Sequence, residues 1–155
     1  MSAPEPVDLG EEERDLLTRE LEALLPELPA SRRQAYADLV AAVARGSVPG
    51  HLVPLLERVV AVALEGGRAR RVYRAEGERV LTELFARTPR GQALVLHLEE
   101  VNRALASLAG RPLHRVRVGM RTLGHYTITL DVEGATITLA ARPDGVAVES
   151  VAVGR

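Results

Sequence analysis

The chain has 155 residues and no cysteine, so any chemistry must come from its histidines, serines, carboxylates or arginines. Disulfides, thiolate metal sites and cysteine nucleophiles are excluded. His51, His97, His114 and His125 lie in different parts of the chain. None has a second histidine four residues away or a glutamate three residues before it, the spacings that put two ligands on one helical face. His97 and Glu100 are three apart in the reverse order, with no second copy of the pattern. Ser2, Ser31, Ser47, Ser107 and Ser150 sit in neither a G-x-S-x-G nor an S-x-x-K context. Glu76 with Glu83, and Glu99 with Glu100, read as solvated helical carboxylates. Gly66-Gly67-Arg68 follows no strand and precedes no Gly-Lys-Ser/Thr, so it is not a phosphate loop. The sequence therefore predicts no catalytic residue, no metal and no cofactor.

The arginines stand out. All 20 basic residues are arginine and none is lysine. The first reading of that bias is a GC-rich bacterial genome, whose codons favour Arg, Ala, Gly and Pro. Distribution says more than number. Net charge is −1, but residues 1–65 carry 12 acids and 6 arginines, whereas residues 66–121 carry 12 arginines and 5 acids. Arg68, Arg70, Arg71 and Arg74 crowd the start of one helix, where cations oppose the macrodipole. On a helix Arg70 and Arg74 are four apart and Arg71 lies beside them, so they share a broad face. Something anionic is expected against them: the acidic first helix (Glu11, Glu12, Glu13, Asp15, Glu20, Glu22) in an ion network, or a polyanion. A second set, Arg115, Arg117 and Arg121, falls on the polar face of a strand with Thr127, Thr129, Thr136 and Thr138. There the cross-strand pairing Arg115–Asp131 is the simpler explanation. Tyr36, Tyr73, Phe85 and Tyr126 are the only aromatics. Few rings weaken any mechanism that stacks bases.

The elements that must carry these residues follow from hydrophobic period. Residues 1–7 read as a disordered N-terminal tail. Asp8 with Glu11 and Ser31 with Gln34 have the spacing of capping boxes. Leu17, Leu21, Leu24 and Leu28 form the face of a first helix, and Tyr36, Leu39, Val40 and Val43 that of a second. Residues 51–65 are apolar nearly all round, which marks a helix buried on most sides. Residues 68–87 read as a fourth helix. Thr88 followed by Pro89 is an N-cap with proline at the first helical position. The fifth helix carries Leu94, Leu98, Val101, Leu105 and Leu108, a short heptad-like seam.

Beyond residue 110 the period becomes two. Val116, Val118 and Met120; Tyr126, Ile128, Leu130 and Val132; and Ala135, Ile137, Leu139 and Ala141 each alternate with polar residues. Val146 and Val148 begin a fourth strand. Turns at 122–124, 133–134 and 143–145 set the register. They bring Val116 opposite Leu130, Val118 opposite Ile128 and Leu130 opposite Ile137, so that all apolar side chains share one face. Continuing that alternation would turn Ser150 inward, so a bulge or fraying is expected there.

The fold class predicted is α+β: about five N-terminal helices, then a four-stranded antiparallel meander with one face covered by helices. The expected boundaries are a helical region over 8–110 and a meander over 111–155, packed together as one domain. No apolar run reaches the ~18 residues of a membrane span, and residues 1–15 lack the apolar core of a signal peptide. A cytoplasmic location follows as an expectation.

Function is read by what remains. The first expectation is a non-catalytic interaction or assembly protein that self-associates, as a homo-oligomer or with a protein partner. The second is a nucleic-acid-binding regulator using Arg68, Arg70, Arg71 and Arg74, with Arg115 and Arg117. The third is a small-molecule binder or enzyme between sheet and helices, with Tyr73, Tyr126 and His114 the residues to inspect.

Overall fold

A computed structural model describes residues 4–154. Its elements are β1 (Val7–Asp8), α1 (Glu11–Leu24), α2 (Ala30–Arg45), β2 (Ser47–Val48), α3 (Val53–Glu65), α4 (Arg68–Ala86), α5 (Pro89–Ala106), β3 (Leu113–Thr122), β4 (His125–Val132), β5 (Ala135–Arg142) and β6 (Gly145–Val153). Helices precede a four-stranded antiparallel sheet of order β3-β4-β5-β6, an α+β arrangement. The chain forms two compact units, dividing between Gln92 and Ala93. That division falls inside α5 and not at residue 110, because the second half of α5 packs on the sheet.

In the first unit α1–α4 enclose a core that includes Leu17, Leu21, Leu39, Leu56, Val60, Leu81 and Leu84. Helix α3 buries six of its thirteen residues, as a helix apolar on most sides must. The helix starts differ from the expected capping boxes. Gly10 is the N-cap of α1, and its N–H donates to Glu13 Oε2 at 2.9 Å. Asp8 instead accepts from the Ser47 hydroxyl at 2.8 Å, tying β1 to β2. Helix α2 begins at Ala30 behind Pro29, and Gln34 bonds Asp38. Asp8 and Gln34 are each taken by another partner, and neither expected box forms. Of the tail expected over 1–7, residues 1–3 lie outside the described residues, while Val7 is buried and pairs with Val48.

The corner from α4 to α5 follows the sequence signal. Thr88 is fully buried, donates to the Phe85 carbonyl at 2.8 Å and accepts the Gly91 N–H at 3.3 Å. Gly91 packs so tightly that an added Cβ would sit 1.8 Å from the Phe85 carbonyl oxygen.

In the second unit the register is the one that the alternation requires. Val116 pairs with Leu130, Val118 with Ile128 and Met120 with Tyr126; Ile128 pairs with Leu139 and Leu130 with Ile137. A bulge at Glu149 skips one residue, so Val148 faces Leu139 while Ser150 faces Thr138. Ser150 thereby turns to the polar face, and Val151 and Val153 return to the apolar one opposite Ile137 and Ala135. Val101 of α5 is buried against Ile137 and Leu139, with Ala104, Leu105 and Leu108 beside it.

Gly91→Ala separates propensity from packing. Helix propensity alone favours alanine by about 1 kcal/mol, whereas overpacking against a backbone carbonyl costs about 1–3 kcal/mol. Urea denaturation is expected to show Gly91→Ala destabilised, and a stabilised variant would contradict this corner. Leu123→Ala, on a side chain 89% exposed, is expected to shift stability by less than about 0.5 kcal/mol.

Candidate functional site

Two places in the molecule combine unusual chemistry with a defined geometry, one in each unit. The first surrounds Glu20. This carboxylate on α1 is buried, an arrangement that requires partners. Arg68 Nε reaches both carboxylate oxygens, at 3.0 and 3.1 Å. The Tyr73 hydroxyl donates to Oε1 at 2.6 Å. Burial, and then the neighbouring Glu20 carboxylate, push the Tyr73 phenol up to about 12. Both effects disfavour a phenolate.

The helix that supplies Arg68 and Tyr73 is not continuous. Arg74 adopts φ 62 and ψ −165, and among the described residues it is the one non-glycine with positive φ. Such a conformation costs on the order of 1–3 kcal/mol and persists only where surrounding contacts hold it. Tyr73, held on Glu20, is one such contact. Gly77 is another: an added Cβ there would lie 2.2 Å from the Tyr73 Cβ. In a regular helix those positions stand ~5–6 Å apart, so only glycine admits the fold-back. The break also separates Arg74 from the helical turn of Arg70 and Arg71, so the shared face expected from their spacing is not formed.

The basic cluster is thus dispersed among different partners. Arg68 bonds Glu20, and Arg70 bonds Glu78 at 3.1 Å across the break. Arg71 and Arg74 are exposed and make no ion pair among the described residues. Elsewhere in this unit Arg79 bridges Glu76 and Glu83, both at 2.6 Å, and Arg87 pairs with Glu13. A cavity of about 160 Å³ beside Glu20 and Arg68 is lined by Ala23, Leu24, Val59 and Val62. Its volume is below the ~300 Å³ at which small-molecule sites begin.

The second place is the apolar face of the sheet. Helix α5 crosses it diagonally. Leu94, near its start, lies against Gly145 of β6. Past its end, Arg111 Nη1 donates to the Glu133 carbonyl at the β4–β5 turn. A diagonal helix covers the centre and leaves corners. Ile137 and Leu139 are buried, but on β3 Val116, Val118 and Met120 are 51%, 65% and 62% exposed, and Tyr126 beside them is 41% exposed. On α5, Val95, Leu96 and Leu98 are also exposed. Leu98 belongs to the seam read from the sequence, yet it has no cover. The sequence pattern marks which residues share the face; how much of the face one helix covers is not written in it.

The polar face of the sheet is closed differently. Arg121 of β3 reaches Glu149 of β6 at 2.6 Å, spanning both central strands. Asp131 accepts from Thr136 at 2.6 Å and not from Arg115, its register partner. Arg115 and Arg117 are exposed and make no ion pair among the described residues.

The remaining candidates divide between the units. Tyr73 belongs to the first unit, and Tyr126 and His114 to the second. No group of three His, Asp or Glu side chains among the described residues could hold a metal. No helix there is long and apolar enough to cross a membrane. Comparison of the chain with protein-family models, curated proteins and solved structures finds no match.

The Glu20 cluster has two measurable consequences. In an absorbance titration the Tyr73 phenol, assigned by its loss in Tyr73→Phe, is expected to ionise near pH 12, and Glu20→Gln is expected to lower its midpoint. Because the folded-state value is raised, Tyr73 contributes stability below pH 10 that is lost as pH climbs towards 12. Glu20→Ala removes the acceptor of both Arg68 and Tyr73 and is expected to cost about 1–3 kcal/mol. A Tyr73 midpoint that Glu20→Gln leaves unmoved would contradict the assignment.

Proposed function

We propose that this chain is a non-catalytic assembly protein that acts by associating with itself through its second unit. The observation that carries the reading is the strip of large apolar side chains left bare on β3 and β4, in which Val118 is 65% and Met120 62% exposed. Exposed apolar patches of several hundred Å² mark interaction sites, since water contact with them is unfavourable. A long apolar edge strand is an added liability unless something covers it.

The core beneath the strip is small. Its buried cluster is Val101, Ile137 and Leu139. Units of about 60 residues bury too little surface to be more than marginally stable alone. Association supplies the missing burial.

Light scattering behind size exclusion tests this. Wild type is expected at a multiple of 16.7 kDa at micromolar concentration, and Val118→Asp is expected at the monomer mass. A wild type that stays monomeric at millimolar concentration would end the proposal.

A second reading, binding of a polyanion such as nucleic acid, is supported by Arg71, Arg74, Arg115 and Arg117, which are exposed and free of ion pairs among the described residues. Arg68 and Arg70 already hold Glu20 and Glu78 and are the weaker candidates. This reading expects affinity that falls linearly with salt on logarithmic axes. Changing Arg71 and Arg74 to alanine together is expected to lower the slope by about 2.

A further inference from the structure

The bare strip and the bare helix segment belong to the same unit, and their chemistries are complementary. We propose that the Ala93–Glu100 stretch of α5 from a second copy fills the corner formed by Val116, Val118, Met120 and Tyr126, the exchange being made twice about a two-fold axis. This rests on the self-association reading above and names the surfaces that meet.

Three observations select a second copy as the occupant. The first is area. Leu113, Val116, Val118, Met120 and Tyr126 on the sheet, with Val95, Leu96 and Leu98 on α5, are each at least 41% exposed. Together they present on the order of 700 Å² of apolar surface, close to the ~800 Å² per partner of a standard stable interface. Neither patch reaches that size alone, and a two-fold exchange buries both at once.

The second is shape. Within one copy, α5 already lies on β5 and β6 through Val101 and Leu105. A sheet that accepts one amphipathic helix across its centre offers a neighbouring helix the same surface at its open edge. Val95 and Leu98, three residues apart, share a flank of α5 and supply the side chains for that seat.

The third is charge. Glu99 and Glu100 on α5 and Arg115 and Arg117 on β3 are exposed and make no ion pair among the described residues. β3 is the edge of the sheet. Long arginine side chains there can extend around the edge to carboxylates on a helix lying along it. Pairing β3 with the β3 of a second copy has the opposite consequence. It sets the arginine rows of the two copies side by side on one face, where like charges repel.

A cysteine-free chain allows a clean test. Leu98→Cys and Val118→Cys are made as separate variants, mixed, and treated with a short bismaleimide. Val95→Cys with Met120→Cys forms a second pair in case one variant fails to fold. The mixed pair is expected to yield a covalent dimer at least fivefold above either variant alone. Mass spectrometry should find one of each chain in it. A Val118→Cys sample that cross-links as well alone as in the mixture points to edge-to-edge pairing and overturns the exchange. Wild type that associates while neither mixed pair links also overturns the exchange, leaving self-association standing. Wild type that does not associate overturns both.

Discussion

A β-sheet with one apolar face must have that face covered, and the second unit offers one helix to do it. Four strands alternate apolar and polar residues in register, so every large side chain of one parity gathers on one side. Helix α5 lies across that side and buries Ile137 and Leu139 at its centre. A rod laid diagonally on a twisted rectangle leaves two corners. Here they are Val116, Val118 and Met120 on β3, and Val151 and Val153 on β6. The unmet demand for cover is the physical basis of the functional reading.

The first unit meets its demands internally. Its core runs through α1 to α4, and Arg68, Arg70, Arg79 and Arg87 are each paired with a carboxylate of the same unit. The buried Glu20 is the organising point. It receives Arg68 and Tyr73 from α4, and those contacts sustain the break at Arg74. A buried carboxylate paired in this way is weak evidence for stability, because desolvation offsets much of the attraction. Its effect is geometric: it holds the first turns of α4 at a particular angle. The arginine-rich start of that helix therefore reads as structure at Arg68 and Arg70 and as open surface at Arg71 and Arg74.

The two faces of the sheet are treated in opposite ways. Across the polar face, Arg121 and Glu149 bridge from edge to edge, and threonines fill the rows between. Across the apolar face, cover stops halfway. The bulge at Glu149 serves both sides. It lets Glu149 meet Arg121, and it returns Val151 and Val153 to the apolar face.

Much of this was legible in the residues themselves. Period-two alternation with turns at Gly124, Gly134 and Gly145 specified the strand pairing, because a slip of one residue would invert every side chain. The awkward parity of Ser150 announced the bulge. Thr88-Pro89 announced the start of α5. These are local signals whose partners are a few residues away or fixed by a short turn. The partner of Asp8, the burial of Val7 and the break at Arg74 carried no such signal. Each depends on a group distant in sequence: Ser47 for Asp8, Val48 for Val7, and Glu20 for the residues around the break. The exposure of Leu98 and Val118 is of the same kind. Alternation determines that they are apolar and which face they share; only the path of α5 across the sheet decided that they are left uncovered, because coverage is a property of packed surfaces and not of period.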